Sequence, residues 1–198
     1  RKTKVTLKCG APAAMVRVCD ATEDSRTVLP GSLFVARSGL KTDGKQYAAD
    51  AVALGAIAIL TDDAQLTVPD PKIPVLVCED VMLAAAIGAE AFYGSPSRSL
   101  ALVGVTGTNG KSTTTYLMWK MLNANGRRCA LIGTVLIDDG REVARAMLTT
   151  PPAIELSRTF SSMVDCGCTV ASMEVSSHAL DQSRVAAFNF KVGVFCNL

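Results

Sequence analysis

Histidine is all but missing from this 198-residue chain, His178 being the only one, and that scarcity limits the metal chemistry open to it. Cys166 and Cys168 are close enough in sequence to share an ion, but two sulfurs and one imidazole cannot complete a usual zinc shell. The seven cysteines, at 9, 19, 78, 129, 166, 168 and 196, are odd in number and include no CxxC pair. Several sit in apolar runs such as Val75–Cys78, a pattern that fits buried free thiols and a reducing cytoplasm. A long apolar segment is missing too. The greasiest stretch, Ala51–Leu60, is too short for a bilayer, is flanked by Asp50 and Asp62 and lies far from the N-terminus, which argues against membrane insertion and a signal peptide. Nor is one sign of charge in excess. Lys and Arg number 20 against 18 Asp and Glu, with no long block of like charge, so no nucleic-acid partner is expected.

What is present is a globular composition, 49% apolar and 19% charged, over a length that allows two modest domains with real cores. In the first hundred residues, strand-like runs at Val16–Cys19, Leu33–Ala36, Ala56–Leu60 and Val75–Val77 alternate with helical patterns at Tyr47–Leu54 and Val81–Tyr93. This is the signature of a small α/β unit. Each helix is followed by a glycine suited to a left-handed cap, Gly55 and Gly94, and Ser95-Pro96-Ser97 then suggests a domain boundary near residue 97. The second half reads strand (Leu100–Val105), glycine-rich turn, helix (Lys111–Asn123) and strand (Cys129–Ile132), the alternation of a parallel βαβ unit. A turn at Asp138-Asp139-Gly140, a helix opening at Pro151-Pro152 and running through Val164, and strands Thr169–Glu174 and Val192–Cys196 continue it.

The string Gly107-Thr108-Asn109-Gly110-Lys111-Ser112 follows an apolar strand and opens a helix, the setting in which a glycine-rich turn becomes a phosphate cradle. Glycines let backbone amides converge on phosphate oxygens, Lys111 neutralises charge near the terminal phosphates, and the Ser112 hydroxyl suits Mg²⁺. ATP is the natural ligand. The strict Walker spacing has a further glycine where this chain has Val105, so the match is to a shorter GxxGK[ST] form. A loop that merely caps a helix would account for Gly107 and Gly110 but not for the Lys-Ser pair at the helix start.

Val103–Thr115, VGVTGTNGKSTTT, resembles the ATP loop of the Mur ligases and of their folylpolyglutamate synthetase cousins. Three further segments resemble the MurE branch in order and spacing: Asp24-Ser25-Arg26 with Pro30–Ala36, Leu148-Thr149-Thr150-Pro151, and Met173–Leu180. The resemblance implies a small N-terminal α/β domain (residues 1–97) that binds the UDP-substrate. The first part of an ATP-binding central domain with a mainly parallel sheet (98–198) follows it. It implies ATP-dependent joining of a diamino acid, meso-diaminopimelate or L-lysine, to UDP-MurNAc-L-Ala-D-Glu in the cytoplasm during peptidoglycan synthesis. A carboxylate is a poor acyl donor, so it is first phosphorylated by ATP, and the amine attacks the acyl phosphate.

Carried over by position, Gly107, Thr108, Asn109, Gly110, Lys111, Ser112 and Thr113 would bind ATP, with Lys111 and Glu174 catalytic and Ser112 and Glu174 on Mg²⁺. Glu174 also ends a strand expected beside the loop, the edge where doubly wound sheets take their ligands. Thr149, Thr150, Ser176, Gln182 and Arg184 match muramyl-dipeptide and pyrophosphate contacts, and Ser25 a uracil contact. Leu40-Lys41-Thr42 departs from the family's His-Gln-Ala triplet at a place that touches the same ligand. For His178 no partner sits at a catalytic spacing, so a structural or orienting role is expected. The chain starts without methionine and stops before the family's Asp-His pair and carbamylated lysine, so it reads as the N-terminal part of a longer enzyme, inactive alone. The alternatives are a non-catalytic substrate-binding homologue, which intact Lys111, Ser112 and Glu174 argue against, and a folylpolyglutamate synthetase-type ligase, which the first domain argues against.

Overall fold

A computed structural model describes residues 3–9, 16–39 and 43–197; the Leu40-Lys41-Thr42 departure lies outside them. The chain divides into two compact units, Arg1–Ala85 and Ala86–Leu198. No helix among the described residues is long and apolar enough to cross a membrane.

In the first unit, β1 (Val5–Cys9), β2 (Asp20–Thr22), β3 (Ser32–Ala36), β4 (Ala58–Thr61) and β5 (Val75–Cys78) form one sheet in the order β1-β5-β4-β3-β2. All neighbours are parallel except β1, which runs antiparallel to β5. Central β4 is buried throughout, as expected of a parallel strand covered on both faces. Helix α1 (Ala48–Ala53) sets Ala48 and Ala51 into a core with Phe34, Ile59 and Val75. One expectation needs correcting. Val16–Cys19, strand-like by propensity, is not in a strand: the ladder to β3 begins at Asp20↔Ser32, and the Cys19 amide instead donates to Gly31 O at 3.0 Å. The edge strand β1 was not expected at all.

Helix α2 (Val81–Phe92) runs across the division, and α3 (Pro96–Ser99) follows within the second unit. The packing divides the chain earlier than the Gly94–Ser97 punctuation does. Glu90, Ser97 and Asn189 explain why: the Ser97 amide donates to Glu90 Oε1 at 3.1 Å, and the Asn189 amide donates to Ser97 Oγ at 3.1 Å, which holds residues 90–97 in the second unit.

The second sheet has the order β11-β6-β10-β7-β8-β9, from β6 (Ala101–Thr106), β7 (Cys129–Ile132), β8 (Leu136–Asp138), β9 (Val143–Arg145), β10 (Val170–Glu174) and β11 (Phe190–Phe195). Its first four members are parallel, and β8 and β9 add an antiparallel hairpin around the expected Asp138–Gly140 turn. Helices α4 (Lys111–Ala124), α5 (Ala153–Asp165) and α6 (Ser177–Asp181) complete the unit. On α5 the buried residues Ala153, Ile154, Leu156, Ser157, Phe160 and Met163 recur at helical spacing and face a core shared with Leu102, Ile132 and Met173. Strand β10 is buried at all five positions. It lies between β6 and β7, so its last residue, Glu174, is set level with Val105, just before the glycine loop.

Candidate functional site

The loop between β6 and α4 is shaped by its glycines. Gly107 and Gly110 have φ of 134° and 84°, backbone that other residues rarely adopt, and a Cβ on Gly107 would lie 2.9 Å from Asn197 O. Gly110 supplies no side-chain cap to α4, so the amides of its first turn face outward without a side-chain acceptor, an arrangement suited to phosphate oxygens. The Lys111 ammonium folds back over the loop and donates to Gly107 O at 2.6 Å and Thr108 O at 3.2 Å. The side chain of Asn197, just beyond β11, grips Asn109 from both sides: Oδ1 accepts from the Asn109 amide at 3.0 Å and Nδ2 donates to Asn109 O at 3.2 Å.

Glu174 is 1% exposed, and its carboxylate faces the start of α4. Ser112 Oγ donates to Oε2 at 2.8 Å, the Thr134 amide donates to Oε1 at 2.7 Å, and Thr134 Oγ1 lies 3.0 Å from Oε2. A hydroxyl and a carboxylate at this separation are hard oxygen donors of the kind Mg²⁺ takes alongside water and phosphate. Ser112, Thr113, Tyr116, Leu117, Val135 and Glu174 line a cavity of about 360 Å³ there. Among the described residues no group of three or more His, Cys, Asp or Glu is placed to hold a metal, Cys166 and Cys168 included.

Thr149 Oγ1 stands 3.1 Å from Thr134 Oγ1. Its neighbour Thr150, 1% exposed, donates from Oγ1 to Glu174 O at 2.9 Å and accepts from the Ser176 amide at 3.1 Å. Arg184 reaches Thr150 O with Nη1 at 2.6 Å, while its Nε and Nη2 both donate to Gln182 Oε1. Ser176 caps α6 by accepting from the Ala179 amide, and Gln182 Nε2 lies 2.9 Å from His178 Nε2. The second unit thus joins Ser112, Glu174, Thr149, Thr150, Ser176, Gln182 and Arg184 in one polar network, with Lys111 beside it. Ser25 belongs to the first unit. It sits in a short 3₁₀ turn capped by Asp24 and lines a cavity of about 530 Å³ with Glu23, Arg26, Arg37 and Tyr47. The Arg26 guanidinium holds the Asp24 carboxyl below its ordinary pKa. Thr134 and Asn197 were not singled out from the sequence. A Gly-Thr after a strand and an Asn after another carry no signal until the register brings them to the loop.

A parallel sheet carrying a glycine loop, a lysine-serine helix start and an acidic strand end defines a P-loop-type α/β unit. The description "Mur ligase middle domain" matches residues 105–198, and "Mur ligase family, catalytic domain" matches residues 22–93. The chain belongs to the Mur ligase family. It is 43% identical, over its full length and 39% of the relative's, to the UDP-N-acetylmuramoyl-L-alanyl-D-glutamate–2,6-diaminopimelate ligase of Chlorobium phaeobacteroides. To the Geobacillus thermodenitrificans ligase of the same name it is 47% identical over 88% of this chain and 35% of that one. The chain therefore spans about two fifths of the length of these curated relatives. A solved ligase of that name superposes with a TM-score of 0.76 at 28% identity, over 90% of this chain and 36% of that one. MurF from Thermotoga maritima, solved in complex with ADP, shares the fold with a TM-score of 0.61 at 22% identity, over 94% of this chain and 39% of that one.

Proposed function

We propose that this chain is the substrate-binding and nucleotide-binding portion of an ATP-dependent ligase that joins a diamino acid to UDP-MurNAc-L-Ala-D-Glu. On this reading residues 1–97 receive the UDP end at Ser25, and residues 98–198 begin the ATP-binding domain. The observation that carries it is the Ser112–Glu174 pair, 2.8 Å apart at the head of α4 and continuous through Thr134 with Thr149. Phosphate and cation chemistry thereby adjoin a polar cluster suited to an anionic, hydroxyl-rich substrate.

In this mechanism the glycine loop and the α4 amides hold the triphosphate, and Lys111 swings from the loop carbonyls to the β and γ phosphates. Ser112 and Glu174 would hold Mg²⁺, which would supply charge neutralisation for phosphoryl transfer to the substrate carboxylate. Arg184, already oriented by Gln182, and the hydroxyls of Thr149 and Ser176 fix the acceptor near the phosphoryl group, while the buried Thr150 hydroxyl, committed to Glu174 O and the Ser176 amide, ties the segment to the end of β10. The printed names of the relatives favour 2,6-diaminopimelate as the incoming amine. Free Cys78, Cys129 and Cys168, all buried, support a cytoplasmic setting. The test uses the full-length protein: phosphate release should require UDP-MurNAc-L-Ala-D-Glu and diaminopimelate together, and Lys111→Ala should lower turnover by roughly 10². Turnover with a folate and glutamate instead, or a normal rate for Lys111→Ala, would overturn the proposal.

A further inference from the structure

We propose that Thr134 is a positioning residue of this site, holding the Glu174 carboxylate for its cation and tying it to Thr149. The proposal rests on reading Ser112 and Glu174 as the cation-binding pair. Thr134 lies in the turn between β7 and β8, and that turn closes through its backbone alone, the Gly133 amide donating to Leu136 O at 3.1 Å. The Thr134 hydroxyl is therefore not needed to make the turn. It is spent on the site, together with the residue's amide, so that one residue donates to both oxygens of Glu174. Gly133 is shaped to the same end, since a Cβ there would stand 2.7 Å from Glu174 Oε1.

The direction of the hydrogen bonds follows from proton count. A carboxylate oxygen only accepts, and Thr134 Oγ1 has one proton facing two acceptors, Glu174 Oε2 at 3.0 Å and Thr149 Oγ1 at 3.1 Å, so that proton is shared between them. Thr149 and Glu174 thus compete for one hydroxyl. A cation would take a lone pair of the Ser112 oxygen and leave its proton pointing at Glu174, while the Thr134 amide and hydroxyl hold the two carboxylate oxygens from the other side. A substrate contact that draws Thr149 away would leave the Thr134 proton to Glu174 and be felt at the cation.

The experiment titrates Mn²⁺, as a spin probe for Mg²⁺, into full-length protein saturated with ADP and counts free Mn²⁺ by electron paramagnetic resonance. Thr134→Val, which keeps the shape and loses the hydroxyl, should weaken Mn²⁺ binding about fivefold. Thr134→Ser should restore it. Thr149→Val, which removes the competing acceptor, should tighten binding in a chain that has Thr134 and change nothing in one that carries Thr134→Val. Wild-type Mn²⁺ affinity in Thr134→Val, a Thr134→Ser variant no better than Thr134→Val, or equal effects of Thr149→Val in both backgrounds would overturn the proposal. Glu174→Gln separates the two levels: if it too leaves Mn²⁺ binding intact, the cation-site reading fails, whereas loss there with no loss in Thr134→Val removes only Thr134.

Discussion

Replacing Ser97 with alanine should lower the melting temperature of the second unit by about 8–12 °C. Ser97 is 1% exposed and Glu90 7% exposed, and Glu90 Oε2 finds no donor among the described residues. The Ser97 amide and hydroxyl, both on Oε1, are therefore the two bonds identified for a buried carboxylate. Removing the hydroxyl halves them. A hydrogen bond to a charged group is worth about 1.5–3 kcal/mol, and the cost here falls in the upper part of that range because both partners are buried. The Asn189 amide also loses its acceptor, but Asn189 is exposed and solvent replaces most of that bond. A loss of about 2–3 kcal/mol, at roughly 4 °C per kcal/mol for a unit of about a hundred residues, gives the stated shift. Calorimetric melts of the two proteins measure it. Ser162→Ala is the comparison, because Asp139 keeps the Arg141 and Glu142 amides when the Ser162 hydroxyl is gone, and its melt should move by no more than about 2 °C. A Ser97→Ala protein that melts within 2 °C of the wild type would refute the reasoning.

Asn197→Ala should weaken ADP binding by about five- to tenfold with little change in melting temperature, because it removes two solvent-reachable bonds that preset the loop; unchanged affinity by titration calorimetry would count against the clamp. Burial pushes the Cys78 and Cys129 thiols up to about 11, so at pH 8 almost none is thiolate. Iodoacetamide on the folded protein should therefore label exposed Cys19 first, with Cys78 and Cys129 protected until the pH nears 11; early labelling of either, read by mass spectrometry, would contradict the packing. Phe160→Ala should destabilise the second unit by about 3–5 kcal/mol, since Phe160 is fully buried and meets Phe188 edge to face at 5.0 Å; denaturant melts report it, and a loss under 1 kcal/mol would mean the core collapses around the gap.

Much of the architecture was legible because its signals are local. The individual strands and helices of the βαβ alternation, the Asp138–Gly140 turn and the apolar stripe of α5 are each written in a short contiguous run, and the loop from Gly107 to Ser112 is one contiguous string. What was not legible depends on pairing. Val16–Cys19 has the composition of a strand, but the partner ladder starts at Asp20, and composition cannot report where a ladder starts. The three-residue strands β8 and β9 are too short for periodicity. Thr134 and Asn197 lie 40 residues before Glu174 and 88 after Asn109, and only the order β11-β6-β10-β7 brings them to the same end of the sheet. Ser97 read as punctuation for the same reason: its partners are a glutamate one helix earlier and an amide 92 residues later.

That strand order also sets a timetable for synthesis. Strand β6, which leads into the glycine loop, has β10 and β11 as its two neighbours, and the nearer of them begins about sixty residues later in the chain. At 5–20 residues per second a ribosome needs roughly 3–12 s to make that stretch, during which β6 has no partner on either side. Its apolar run Leu102-Val103-Gly104-Val105 is for that interval a segment for chaperones to cover. The loop's grip from Asn197 comes later still, beyond β11. Nucleotide capture by a ribosome-bound chain would thus report that synthesis has passed β11.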